Sequence, residues 1–227
     1  MIQRTVAALS AAHGPVLHVR LHVTVASPDH PSEIAWSGDT DEWIDETGPQ
    51  HYRMRTTFPN LPRPVETGGD YRGSSPTYVY DSADDTLYYV PLYGSGFDFV
   101  DPVTQAKRSL RPAPAVTVRK IGDTYRIEDD RNIRRPSVLV VDATTYRPIR
   151  ESWTVSSGGG PPYALYSQRS HAPLSALWQT INEYVTYEYV DDHTLASIRA
   201  HFPHAKIGLA PEMPKAFKRQ FQPWTGP

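Results

Sequence analysis

Cysteine is absent from this sequence. That excludes disulfides, thiolate metal sites and cysteine nucleophiles. A surplus of one charge is also missing, since 23 basic residues face 25 acidic ones for a formal net charge of −2. A protein that neutralises many phosphates, or one that clings to an anionic membrane through basic residues, needs a different balance. No apolar run approaches the ~20 residues that cross a bilayer as a helix. Catalytic signatures are equally scarce. There is no His-Glu-x-x-His and no Gly-x-Ser-x-Gly. Gly158-Gly-Gly160 is followed by Pro161-Pro162, whereas a phosphate cradle ends in Lys-Ser/Thr and opens a helix.

Abundance lies elsewhere, in 22 prolines, 14 tyrosines and 5 tryptophans among 227 residues. Ile2, Val6 and Leu9 have helical spacing, and His13-Gly14-Pro15 ends that segment. The period then changes to two. Leu17, Val19, Leu21, Val23 and Val25 alternate with polar residues, the pattern of a half-buried strand. Further strands are expected around Ile34–Trp36, continuing at Trp43–Ile44, and over 50–58. The Pro- and Gly-rich segment 59–75 reads as a loop holding at most a short edge strand. Three hairpins follow, turning at 81–86, at Gly122-Asp123 and at 143–147. A helix is expected from Asp101 to Leu110, with Asp as cap and Pro102 at its first position. A long strand covers 181–190 within 177–190. A last helix over 194–202 is stopped by Pro203.

Consecutive hairpins pair locally, which makes the expected fold mainly β (α+β): a curled antiparallel sheet forming an incomplete barrel, with two or three short helices covering it. The expected organisation is one domain over 1–210 and a Pro-rich, basic, extended tail over 211–227. An amphipathic segment directly follows Met1, so Met1 reads as a start that leaves an earlier signal or membrane segment behind.

Candidate chemistry is thin. His18 and His22 share a strand, but four residues at about 3.3 Å each put their rings roughly 13 Å apart, too far for one metal. They read as a polar outer face. His201 and His204 are separated by Pro203, which prevents a helix from aligning them. No metal or cofactor is expected. The acidic runs 39–42, 84–85, 128–130 and 191–192 read as solvated turns. The aromatics suit strands and a core, or the lining of an apolar cavity under a curled sheet. Candidate ligand-binding residues are Val19, Leu21, Val23, Trp36, Met54, Tyr80 and Tyr187. No catalytic residue is nominated.

Several segments resemble the LolA/LolB-like extracytoplasmic lipoprotein-carrier domains of bacteria, in the actinobacterial-type, uncharacterised branch. They are the helix 2–12 ahead of strand 17–25, the hairpin from Tyr78-Val-Tyr-Asp81 to Leu87-Tyr88-Tyr89, the hairpin from Val140-Val-Asp142 to Tyr146-Arg-Pro148-Ile149, and the closing strand 181–190. No lid-closing arginine of that family can be matched to a position here. The resemblance implies an incomplete barrel over helices, an extracytoplasmic place and a non-enzymatic role. The expected partner is a lipid, acyl chain or other apolar ligand, without nucleic acid, and with membrane association through a segment outside this sequence. A sensor ectodomain of a membrane-bound regulator of the anti-sigma type and a hydrolase with an unrecognised site stand as alternatives.

Overall fold

The computed structural model describes residues 3, 4, 7, 15–28, 32, 34–45, 51–57, 63–70, 77–90, 116–130, 137–156, 177–192 and 198–215. Twelve strands lie among them: β1 Val16–Ala26, β2 Ile34–Asp45, β3 His51–Thr56, β4 Val65–Asp70, β5 Thr77–Asp81, β6 Thr86–Val90, β7 Val116–Ile121, β8 Thr124–Asp129, β9 Ser137–Asp142, β10 Pro148–Ser156, β11 Leu177–Val190 and β12 Lys206–Leu209. They form one sheet in the order β12-β6-β5-β4-β3-β2-β1-β11-β10-β9-β8-β7. The order is linear with β12 and β7 at its ends, so the sheet is open and is not a closed barrel. Gln3, Arg4 and Ala7 are helical, and a short helix spans Ile198–His201. The rest of the expected 2–12 helix, the 101–110 helix, the glycine run at 158–160 and residues 193–197 lie outside the described residues.

The chain divides into two compact units. The first comprises Met1–His13, Leu21–Ser37 and Val100–Tyr187; the second comprises Gly14–Arg20, Gly38–Phe99 and Glu188–Pro227. In the first, β7 to β10 form a meander whose hairpins follow local turn chemistry. Gly122 takes φ +56° between Ile121 and the facing Thr124, a conformation that favours glycine. At the β9–β10 turn, Asp142 accepts hydrogen bonds from the backbone N–H groups of Thr144 and Thr145 at 2.9 and 2.6 Å and from the Thr145 hydroxyl at 2.9 Å. These bonds, the Thr145 backbone bond foremost, hold the Asp142 carboxyl below its ordinary pKa. Ile127, Leu139 and Val141 are buried and share one sheet face through the pairs Ile127–Leu139 and Tyr125–Val141.

In the second unit β2 to β6 run antiparallel. Asp81 organises the β5–β6 turn by accepting from the Ala83 N–H at 2.8 Å, as an Asx turn does. Three features depart from expectation. β2 is one unbroken strand, and the acidic run 39–42 lies inside it rather than in a turn. β4 is interior, paired on both sides with β3 and β5. Its two glycines weaken the strand signal, yet Gly68 is needed because the Tyr78 ring lies over it. A Cβ there would sit 2.3 Å from the Tyr78 Oη and 2.5 Å from the Tyr52 carbonyl oxygen. Finally, β12 adds to β6 in parallel, so the sheet is not wholly antiparallel. Four residues after a proline-containing turn give too short a period to read from sequence. Packing also continues past position 210, where the tail was expected to begin. A 3-10 turn covers Ala210–Glu212, and Met213 is 4% exposed.

Gly68→Ala is expected to destabilise the protein by about 2 kcal/mol through overpacking. Gly122→Ala, which adds strain in open space, is expected to cost about 1 kcal/mol. Urea denaturation of both variants measures the order.

Candidate functional site

Strand register places a row of unlike side chains on one face of the second unit. Trp43 pairs with Arg53, Arg53 with Gly68, and Gly68 with Tyr78. Directly opposed residues project to the same side. Arg53 is the centre of the row, with its side chain only 7% exposed. A buried guanidinium needs acceptors around it. Its Nε lies 3.5 Å from a Glu66 oxygen and its Nη2 lies 3.2 Å from Asp192. Its Cζ sits 4.2 Å from the Trp43 ring centroid, within cation–π range.

His201, from the short helix, completes the group. Arg53 Nη1 lies 2.6 Å from His201 Nδ1, and His201 Nε2 lies 3.3 Å from the same Glu66 oxygen. The same Nη1 lies 3.0 Å from His201 Nε2, so the guanidinium sits close to both ring nitrogens of the imidazole. Burial first, and Arg53 second, lower the His201 pKa; Glu66 and Asp192 pull the other way. The same burial raises the Tyr78 phenol far above its ordinary range, with Glu66 as the next cause.

Aromatics extend the group on both sides. His18 stacks on Trp43 at 4.8 Å and 10°, and contacts Asp41 and Glu188 at 3.3 and 3.0 Å. It therefore belongs to a network rather than to the plain polar face expected of it. On the other side Phe202 stacks on Tyr80 at 4.0 Å and meets Tyr78 edge-on at 6.4 Å. Tyr78, Leu87 and Ala205 form the buried centre there, with Tyr80, Tyr89 and Phe202 against it. Tyr80 donates to Asp85 at 2.9 Å. Desolvation, and then that hydrogen bond, push its phenol up to about 12.

The opposite face of the same strands has another character. Val19, Ile44, Met54, Val65 and Val79 are buried there, with Thr40, Glu42, Thr56 and Thr67 as buried polar groups among them. Strand alternation thus separates the candidate residues. Val19 and Met54 lie on this apolar face, whereas Tyr80 lies on the Arg53 face. Leu21 and Tyr187 are buried and Val23 half-buried in the first unit. The side chain of Trp36 lies outside the described residues. Sequence reasoning missed Arg53, Glu66 and Asp192. No local signal marks them: in the alternation over 50–58, Arg53 falls in the polar set with His51 and Arg55.

Chemically the Arg53 group is a clamp. It presents no nucleophile beside a base. Among the described residues no three His, Asp or Glu side chains are arranged to hold a metal ion, and no helix is long and apolar enough to cross a membrane.

No protein-family model matches the chain, and no curated protein matches it. Among solved structures it is similar to an uncharacterized conserved protein from Thermus thermophilus, at 8% identity and TM-score 0.43, covering 91% of this chain and 98% of that one. It is similar to a LolA superfamily protein from Nitrosomonas europaea, at 10% identity and TM-score 0.33, covering 84% and 94%. It is also similar to a protein domain from Vibrio parahaemolyticus described as outer membrane lipoprotein-sorting, at 11% identity and TM-score 0.37, covering 88% and 97%.

Arg53→Met is expected to cost roughly 3 kcal/mol, because it leaves Glu66 and Asp192 as half-buried carboxylates without their cation. Arg53→Lys is expected to recover part of this, since an ammonium keeps the charge but loses the planar contact with Trp43. Denaturant titration orders the three proteins. Alkaline titration of tyrosine absorbance should show one phenol near 12 that moves toward the ordinary value in Asp85→Asn.

Proposed function

We propose that this protein is a non-enzymatic, extracytoplasmic binding domain whose ligand is a lipid, an acyl chain or another apolar molecule. The observation that carries the reading is the two-faced sheet of the second unit. One face is committed to ion pairs and aromatic contacts centred on Arg53. The other carries the buried apolar residues Val19, Ile44, Met54, Val65 and Val79, set among the buried polar residues Thr40, Glu42, Thr56 and Thr67. Mostly apolar lining with a few placed polar groups is the composition of small-molecule sites. Among these residues, Val19 and Met54 are the candidate contacts. The resemblance of the strand and hairpin segments to lipoprotein-carrier domains supports the ligand class and the extracytoplasmic place.

The binding surface suits an acyl chain in particular. Branched aliphatic side chains offer close dispersion contact along a chain without demanding a matching polar pattern. The threonine pair Thr40–Thr56, with hydroxyls 3.4 Å apart, would sit beside a ligand's one polar end.

Native mass spectrometry of the purified protein, followed by organic extraction, tests the reading. A non-covalent adduct that disappears on extraction, and saturable uptake of a fluorescent fatty acid by the extracted protein, are expected. Absence of both the adduct and the uptake overturns it.

A further inference from the structure

β7 stands at one end of the sheet order and pairs on one side only, with β8. Its sequence is Val116-Thr-Val-Arg-Lys-Ile121. Thr117, Arg119, Lys120 and Ile121 are exposed, Ile121 at 56%. The hairpin fixes which backbone groups face outward. The two-residue turn Gly122-Asp123 closes on the pair Ile121–Thr124, and a closing pair of this kind exchanges its hydrogen bonds. Bonded pairs then alternate, so Thr117, Arg119 and Ile121 turn their N–H and C=O groups toward β8. Val116, Val118 and Lys120 turn theirs to the open side. Among the described residues no group takes them. The strand at the other end of the order shows what a protected edge looks like. β12 is four residues long, and its last N–H, that of Leu209, donates to the Glu212 carboxylate at 2.9 Å. β7 is longer and carries no such cap.

The side chains of β7 sort by face. Val116 and Val118 are half-buried. Val118 pairs with Ile127, and Ile127 with Leu139, so the edge ends a buried apolar row. Arg119 and Lys120 are adjacent cations on opposite faces, and β7 holds no carboxylate. The acidic groups of the hairpin lie one strand further in. Glu128 is held by Arg126 at 2.6 Å and accepts from the Thr117 hydroxyl at 3.2 Å. Arg126 is the first cause of its lowered pKa and Arg119 the last. Asp129 stands beside Val116, at the far end from the two cations.

We propose that β7 is a docking edge for an extended acidic segment of another protein, which joins the sheet as a further antiparallel strand. Such a strand gains backbone bonds to Val116, Val118 and Lys120, and its alternate side chains give the selectivity. Antiparallel order sets two acidic residues opposite Lys120 and Arg119, and apolar residues opposite Ile121, Val118 and Val116. Opposite charges across a ladder stabilise it and like charges oppose it. A second copy of this chain is therefore a poor occupant, since two β7 strands bring four cations and no carboxylate into one ribbon. A nucleic acid meets the two cations but offers no ladder to the outward N–H groups. The edge belongs to the first unit, so the proposal is separate from the apolar ligand face of the second.

Amide NMR of the full chain with the end-blocked peptide Val-Glu-Asp-Val-Thr-Val tests this. Saturable shifts and slowed hydrogen exchange are expected at the amides of Val116, Val118 and Lys120, with those of β9 and β10 unchanged. Replacing the two acidic peptide residues by lysine is expected to weaken binding by about tenfold. Arg119→Glu combined with Lys120→Glu should reverse that preference. Val118→Pro removes one outward N–H at an edge position, where proline is tolerated, and should abolish binding. Should Val118→Pro fail to fold, the charge exchange decides alone. No slowing of the three amides at about 1 mM peptide, or equal binding of the acidic and lysine peptides, overturns the proposal. So does an edge that ignores the peptide while a single-stranded oligonucleotide shifts Arg119 and Lys120, which makes it a surface for polyanions.

Discussion

A guanidinium cannot be taken from water unless its charge and its five N–H donors are accommodated on the spot. Arg53 meets the charge with two carboxylates, an imidazole and an indole face, although its buried Nε, 3.5 Å from Glu66, makes no hydrogen bond. Each partner comes from a different place in the fold: Trp43 from β2, Glu66 from β4, Asp192 from the end of β11 and His201 from the short helix. Satisfying one side chain therefore ties the middle of a sheet to a distant segment of chain. The covering of Leu87 by Ala205 and the pairing of β12 with β6 both go with that segment being brought back.

The two faces of these strands divide the work of the unit. The Arg53 face is electrostatically closed, with its charges spent on one another. The opposite face carries buried valines, Ile44 and Met54, with Thr40, Glu42, Thr56 and Thr67 among them. Alternation along β1, β3 and β5 makes this division automatic, because neighbouring residues such as His18 and Val19, or Arg53 and Met54, must point to opposite sides. Tyr80 and Met54 cannot line one surface for the same reason.

Much of the strand arrangement was legible in the sequence. The alternation in 17–25, the Gly122-Asp123 turn and the Asp-led turns at 81 and 142 act through neighbours in the chain, and the structure places hairpins at each. What was not legible acts across long separations. His201 and Arg53 are 148 residues apart, and no local pattern marks either. β4 was obscured because Gly68 and Gly69 lower strand propensity, although the overlying Tyr78 ring requires the first of them. β12 was obscured because a four-residue strand has no readable period. The run 39–42 misled by composition, since acidic residues usually sit in turns, yet Asp41 serves His18 and Glu42 is buried.

The parallel pairing of β12 with β6 has a consequence for how the chain is made. Each of the other pairings in the second unit's β2–β6 ladder joins strands that leave the ribosome one after another. The outer edge of β6 alone must wait for Lys206–Leu209, translated more than a hundred residues later. Throughout that interval a nascent chain displays a bare strand edge beside exposed tyrosines, the surface that invites pairing with a neighbouring chain. Lys206–Leu209 thus guards an edge that the β2–β6 ladder by itself leaves open.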